Sequence, residues 1–125
     1  MARLTQIVVD CTMPSSLARF WAAALDDFEL RAYDRDEIER LATLGLTPET
    51  DPIVLVDGPF VEICFQQIDD VPSGKRPLHL DLVASDRRSE VARLIELGAR
   101  VREEFDGHTW MVDPDGNDFC ITDPD

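Results

Sequence analysis

This sequence states one pattern twice. A short β-branched run, Ile7-Val8-Val9 within residues 4–11, predicts a strand. Pro14 then suits the first turn of a helix, and Leu17, Phe20, Trp21, Ala24 and Leu25 fall on one helical face. The pattern restarts at residues 78–84, a strand of alternating character. A helix follows, capped by Ser85 or Asp86, with Val91, Leu94 and Ile95 on one face and Gly98 as its stop. The two starts superpose at one constant offset: Gln6 on His79, Met13 on Asp86, and Phe20-Trp21 on Arg93-Leu94. Each leads into three more strands, at 28–33, 53–56 and 60–67 in the first copy and at 101–105, 109–112 and 119–122 in the second. The Asp57-Gly58 and Asp106-Gly107 pairs read as hairpin turns. Asp113-Pro114-Asp115-Gly116 fits a type I turn, with Asp, Pro and Gly at the positions that turn prefers. A strand-helix-strand-strand-strand unit met twice predicts an α+β chain built by tandem duplication. Module 1 spans about 1–68, module 2 about 78–125. Between them, 69–77 is a linker carrying Pro72, Gly74 and Pro77. One element breaks the symmetry. Asp34-Arg35-Asp36-Glu37 resembles a capping box ahead of a narrow stripe, Ile38, Leu41 and Ala42, which Gly45 ends. It predicts a short solvated helix interrupting the first module, then a loop over 47–52.

Charge narrows the partners. The chain has 125 residues, a length expected of a single domain, with 12 Lys+Arg against 26 Asp+Glu and a formal net charge of −14. Such a surface repels phosphate backbones and anionic headgroups, so nucleic acid and membranes are not expected as partners, whereas a cationic ligand is favoured. Acidity also serves solubility alone. No apolar run approaches the ~20 residues of a membrane span, and the amino terminus lacks a signal-peptide pattern. Cys11, Cys64 and Cys120 are odd in number and lie in apolar segments, as expected of packed thiols in the reducing cytoplasm.

Strand alternation then sorts side chains by face. Ile7, Val9 and Cys11, with Ile63, Phe65, Leu80, Leu82, Phe119 and Ile121, form the sides on which the helices should pack. The opposite sides carry Gln6, Asp10, Glu62, Gln66, His79, Asp81, Cys120 and Thr122. Two readings stay open: a half-solvated sheet, or the lining of a cleft whose polar groups await a ligand. Trp21 belongs to the helix core. Trp110 shares a face with His108 and Val112 and offers an aromatic wall to a ligand.

The doubled βαβββ pattern, the stretches Ile7-Val8-Val9-Asp10-Cys11 and His79-Leu80-Asp81-Leu82, and above all Asp113-Pro114-Asp115-Gly116-Asn117 before the last strand resemble the vicinal-oxygen-chelate superfamily. This is the glyoxalase, bleomycin-resistance and extradiol-dioxygenase group, and the chain is most similar to its small glyoxalase-like domain proteins. The resemblance implies two curved four-stranded sheets forming an open-barrel cup with helices outside, commonly in a homodimer. It implies a divalent metal held by first- and last-strand residues, which fall here on Gln6, Glu62, His79 and Cys120. Cys120 is a departure, because glutamate is usual there. A thiolate at that position favours zinc.

Two functions follow. In one, the metal polarises the vicinal oxygens of a small substrate in a lyase or isomerase, with Glu62, Asp81 or Asp10 as the base. In the other, as in bleomycin resistance, a metal-free protein holds a ligand through Asp10, Gln66, Trp110 and Thr122. The bland reading keeps His79 as a hydrogen-bonded histidine, Cys120 as a packed thiol and the rest as ordinary strand polarity.

Overall fold

The strand order follows from what each strand can bury. In the computed structural model, which describes residues 1–70 and 78–125, the chain divides into two units, Met1–Val71 and Pro72–Asp125. Most of the expected linker, 69–77, lies outside the described residues. The first unit runs β1 (Gln6–Cys11), α1 (Pro14–Ala24), β2 (Glu29–Leu30), α2 (Arg35–Thr43), β3 (Ile53–Asp57) and β4 (Glu62–Gln67). Its sheet has the order β1-β4-β3-β2, with β1 parallel to β4 and the other pairs antiparallel. The second unit runs β5 (Leu80–Val83), α3 (Arg87–Leu97), β6 (Arg100–Phe105), β7 (His108–Val112) and β8 (Asp118–Thr122). Its order, β5-β8-β7-β6, repeats the same plan. The α+β class and the doubled βαβββ module are both observed. No helix among the described residues is long and apolar enough to cross a membrane.

Each helix covers one face of its own sheet. α1 lies against β2, β3 and β4. Its buried Leu17, Phe20 and Trp21 meet a sheet side where Val54 is paired with Phe65 and Val56 with Ile63, all buried. Phe20 and Trp21 meet edge to face, with ring centroids 5.1 Å apart. α3 packs on β6, β7 and β8 through Val91 and Leu94, over Met111, Phe119 and Ile121. Burying several such side chains, at roughly 1.5–3 kcal/mol each, is what holds each helix to its sheet.

The helix ends are where the sequence places them. Asp34 accepts from Glu37 N at 2.8 Å and Asp86 from Ser89 N at 3.1 Å, each satisfying a backbone donor left over in a first turn. Gly98 closes α3 with φ 119°, a left-handed conformation that a Cβ disfavours.

Three segments differ from expectation. The strand expected at 28–33 is only Glu29–Leu30. Beyond it, Arg31 N still bonds Leu55 O at 3.0 Å, after which the chain leaves the sheet for α2. The turn after Asp57 is longer than a two-residue hairpin, because β4 starts only at Glu62. The Phe28 ring lies where a side chain on Gly58 would be, with its nearest carbon 2.3 Å from an ideal Cβ, so only glycine fits there. β5 begins at Leu80, since its ladder to β8 starts at the Leu80–Phe119 pair, and His79 stands just before it.

The turn at 113–116 is densely bonded. Gly116 N donates to Asp113 O at 2.9 Å. The buried Asp113 carboxylate accepts from Asp115 N, Asn117 N and Asn117 Nδ2, all at 2.8–2.9 Å. Asp113→Ala is expected to lower stability by about 3 kcal/mol in urea unfolding, because three half-buried donors lose their acceptor. Asp113→Asn keeps an acceptor and is expected to cost less.

Candidate functional site

The parallel pairing of β1 with β4 sets the first cluster. Gln6 stands beside Glu62, Val8 beside Cys64 and Asp10 beside Gln66, all on the side away from α1. Gln6 Nε2 donates to Glu62 Oε1 at 2.9 Å. The other carboxylate oxygen, Oε2, accepts from the Arg31 guanidinium. Arg31 also grips Asp57, with Nη2–Oδ1 at 2.5 Å and Nε–Oδ1 at 3.2 Å. The hydrogen bond to Asp57, and after it the one to Glu62, raise the guanidinium's proton affinity further. One cation therefore serves two carboxylates.

Alternation could have found Arg31. Glu29 is paired with Asp57, so Glu29 and Arg31, two apart, share the polar side. Asp10 and Gln66 are neighbours there and both exposed.

The second cluster sits on β5 and β8. Asp81 pairs with Cys120, and His79 Nε2 lies 3.8 Å from Asp81 Oδ1. One donor atom from each of His79, Asp81 and Cys120 falls within 4.8 Å of the others. Burial, and then the Asp81 and Asp118 carboxylates, push the Cys120 thiol above its ordinary range and keep it protonated. Thr122 Oγ1 donates to Leu82 O at 3.1 Å, tying β8 to β5.

Trp110 flanks Cys120 on β7. Its Nε1 donates to the buried Asp118 at 2.9 Å, and Arg102 lies over its ring at 5.2 Å from the centroid. Arg102 gets there through an irregularity in the β6–β7 ladder between Val101 and Glu103, which no local sequence signal announces. On the same strand face, His108 stacks on Phe105 at 4.6 Å.

The two clusters suit a metal differently. Glu62 faces the fixed positive charge of Arg31, which repels a divalent cation and already occupies a carboxylate oxygen. Gln6 and Glu62 as they stand do not fit a metal. His79, Asp81 and Cys120 offer nitrogen, oxygen and sulfur, a donor set that fits zinc once Cys120 ionises. Arg31→Met is expected to shift urea stability by less than about 1 kcal/mol, as the pair is half exposed. The same variant is expected to strengthen divalent-metal binding, read by calorimetry, because Gln6 and Glu62 are released.

Residues 6–122 match the model of the glyoxalase-like domain. No curated protein matches the sequence. Among solved structures, the chain is similar to a glyoxalase/bleomycin resistance protein/dioxygenase family enzyme from Burkholderia phytofirmans PsJN, with a TM-score of 0.68 and 14% identity over 98% of both chains. It is also similar to oxidase ChaP-H2, with a TM-score of 0.63 and 16% identity over 100% of this chain and 95% of that one. TnmS3, an antibiotic binding protein from Streptomyces sp. CB03234, gives 0.60 and 18% over 100% of this chain and 98% of that one. The conserved architecture and the match over nearly the full length agree: the chain belongs to the glyoxalase-like domain family of the vicinal-oxygen-chelate superfamily.

Proposed function

We propose that this protein binds a small organic cation and uses no metal to do so. The observation that carries this reading is the Arg31–Glu62 pair. The carboxylate expected among the metal ligands is already balanced by a cation built into the chain. A binder needs no base and no Lewis acid, so nothing in its task is lost by that pairing. The net charge of −14 draws cations toward the surface. Arg102 already lies over the Trp110 ring and beside the buried Asp118, so that aromatic–carboxylate pair holds a cation of the chain's own. The likeness to an antibiotic binding protein supports ligand holding as a use of this fold. The protein works in the cytoplasm as a homodimer, its three buried cysteines staying reduced.

One observation favours the second reading, a metal-dependent lyase or isomerase. His79, Asp81 and Cys120 would hold a zinc ion, which when bound would polarise vicinal oxygens of a substrate. In that case Asp81 is occupied as a ligand and Glu62 is held by Arg31, which leaves Asp10, of the three expected bases, to take a proton.

Proflavine, a planar cation, and elemental analysis separate the two. Fluorescence titration is expected to show saturable proflavine binding that weakens several-fold as salt rises from about 0.05 to about 0.5 M. Purified protein is expected to carry well under one zinc per chain. One zinc per chain, lost in His79→Ala, together with no proflavine binding, overturns the proposal in favour of the enzyme.

A further inference from the structure

Three features of the first unit take no part in the Gln6–Glu62–Arg31–Asp57 cluster: the inserted helix α2, the phenol of Tyr33 and the buried carboxylate of Asp51. They meet around one cavity. It has a volume of about 360 Å³, and its walls include Arg31, Tyr33, Glu37, Asp51, Ile53 and Leu55. That volume is in the range of small-molecule sites.

Each wall has a cause in the sequence. Ile53 and Leu55 stand two apart on β3 and so share a side, giving an apolar floor. Ile53 remains 51% exposed, more than a core strand residue would be. Tyr33 Oη donates to Asp51 Oδ2 at 2.7 Å, and Ile53 N donates to Asp51 Oδ1 at 3.0 Å. Burial first, and then the bond to Asp51, push the Tyr33 phenol well above its ordinary range, so it stays a donor. Asp51, only 6% exposed, is thereby held at the wall by two hydrogen bonds. The first turn of α2 adds Glu37, whose charge is shared with Arg40 at 2.6 Å. Asp34, Glu37 and Asp51 outnumber Arg31 along the walls, and Arg31 is spent on Asp57 and Glu62. Three carboxylates thus stand along the walls over an apolar floor, with Arg40 paired to Glu37.

The role of α2 fits this. It buries one side chain, Leu41, and so adds little to the core. Its first turn closes one side of the cavity.

We propose that this cavity is the seat of the cation: it takes an ammonium or amidinium group on a flat apolar body, the body on Ile53 and Leu55 and the charge toward Asp51 and Glu37. The inference rests on the reading that the protein binds an organic cation, and it names the place and the chemical class.

Benzamidinium is the probe, with benzamide and benzoate as its neutral and anionic counterparts. In amide-resolved NMR titration of the full chain, benzamidinium is expected to shift signals of residues 31–37 and 51–55, with a Kd in the ~mM range or tighter. Benzamide and benzoate are expected to bind at least about tenfold more weakly. Ala32→Trp, at an exposed lining position, is expected to abolish the shifts while the spectrum stays folded, and Glu37→Gln to weaken them several-fold. Shifts confined to Asp81, Trp110 and Cys120 overturn the cavity assignment and leave cation binding standing. Benzamide binding as well as benzamidinium overturns the ligand class. No shift with benzamidinium, together with no proflavine binding, overturns both this inference and the function it rests on.

Discussion

The in-register parallel pairing of first and last strand in each unit is the constraint from which the chemistry follows. Gln6 opposite Glu62 and Asp81 opposite Cys120 are consequences of that register. A slip by one residue would turn Ile63 and Phe65 away from α1 and bring Glu62 and Gln66 onto the helix side. The apolar load of α1 and α3 therefore fixes where the polar groups on the opposite side of each sheet stand. A parallel pair also cannot be closed by a tight turn. The crossover through α1 and the two later strands brings β4 back beside β1, and α3 with its own pair of strands does the same for β8.

Much of this is legible in the chain because it is local. Period-two alternation marks β1, β4 and β8, and capping side chains at Asp34 and Asp86 mark helix starts. The Asp-Pro-Asp-Gly turn is written in residues that few other conformations use. The packing of Phe28 against Gly58 was not legible, because it is a contact between segments far apart in sequence. The same holds at the site. Alternation placed Gln6 with Glu62 and His79 with Asp81 and Cys120. It could not show that Arg31 crosses β3 to claim Glu62, nor that the irregular β6–β7 ladder brings Arg102 over Trp110.

The shared strand plan gives the two units corresponding positions, and those positions carry different groups. In the first, Gln6 and Glu62 form a closed, charge-balanced group with Arg31. In the second, Cys120, whose counterpart in the first unit is Cys64 and not Glu62, stands with His79 and Asp81 in a set of donors facing one another. An acidic surface makes the difference larger. An internal arginine among many carboxylates is held firmly, and it resists replacement by an outside cation unless that cation finds contacts elsewhere, as on an apolar floor.

Gly98 closes α3 beside Pro114, whose Cγ would lie 3.2 Å from any side chain added at the glycine. The helix stop and the loop before β8 are thus one mechanical joint made from two motifs. Neither can drift alone during descent: a bulkier residue at 98 is strained by its left-handed backbone and pushed against the proline ring. Lineages that lose the glycine should have remodelled residue 114 in the same step or earlier, so the two positions ought to change together among relatives of this chain.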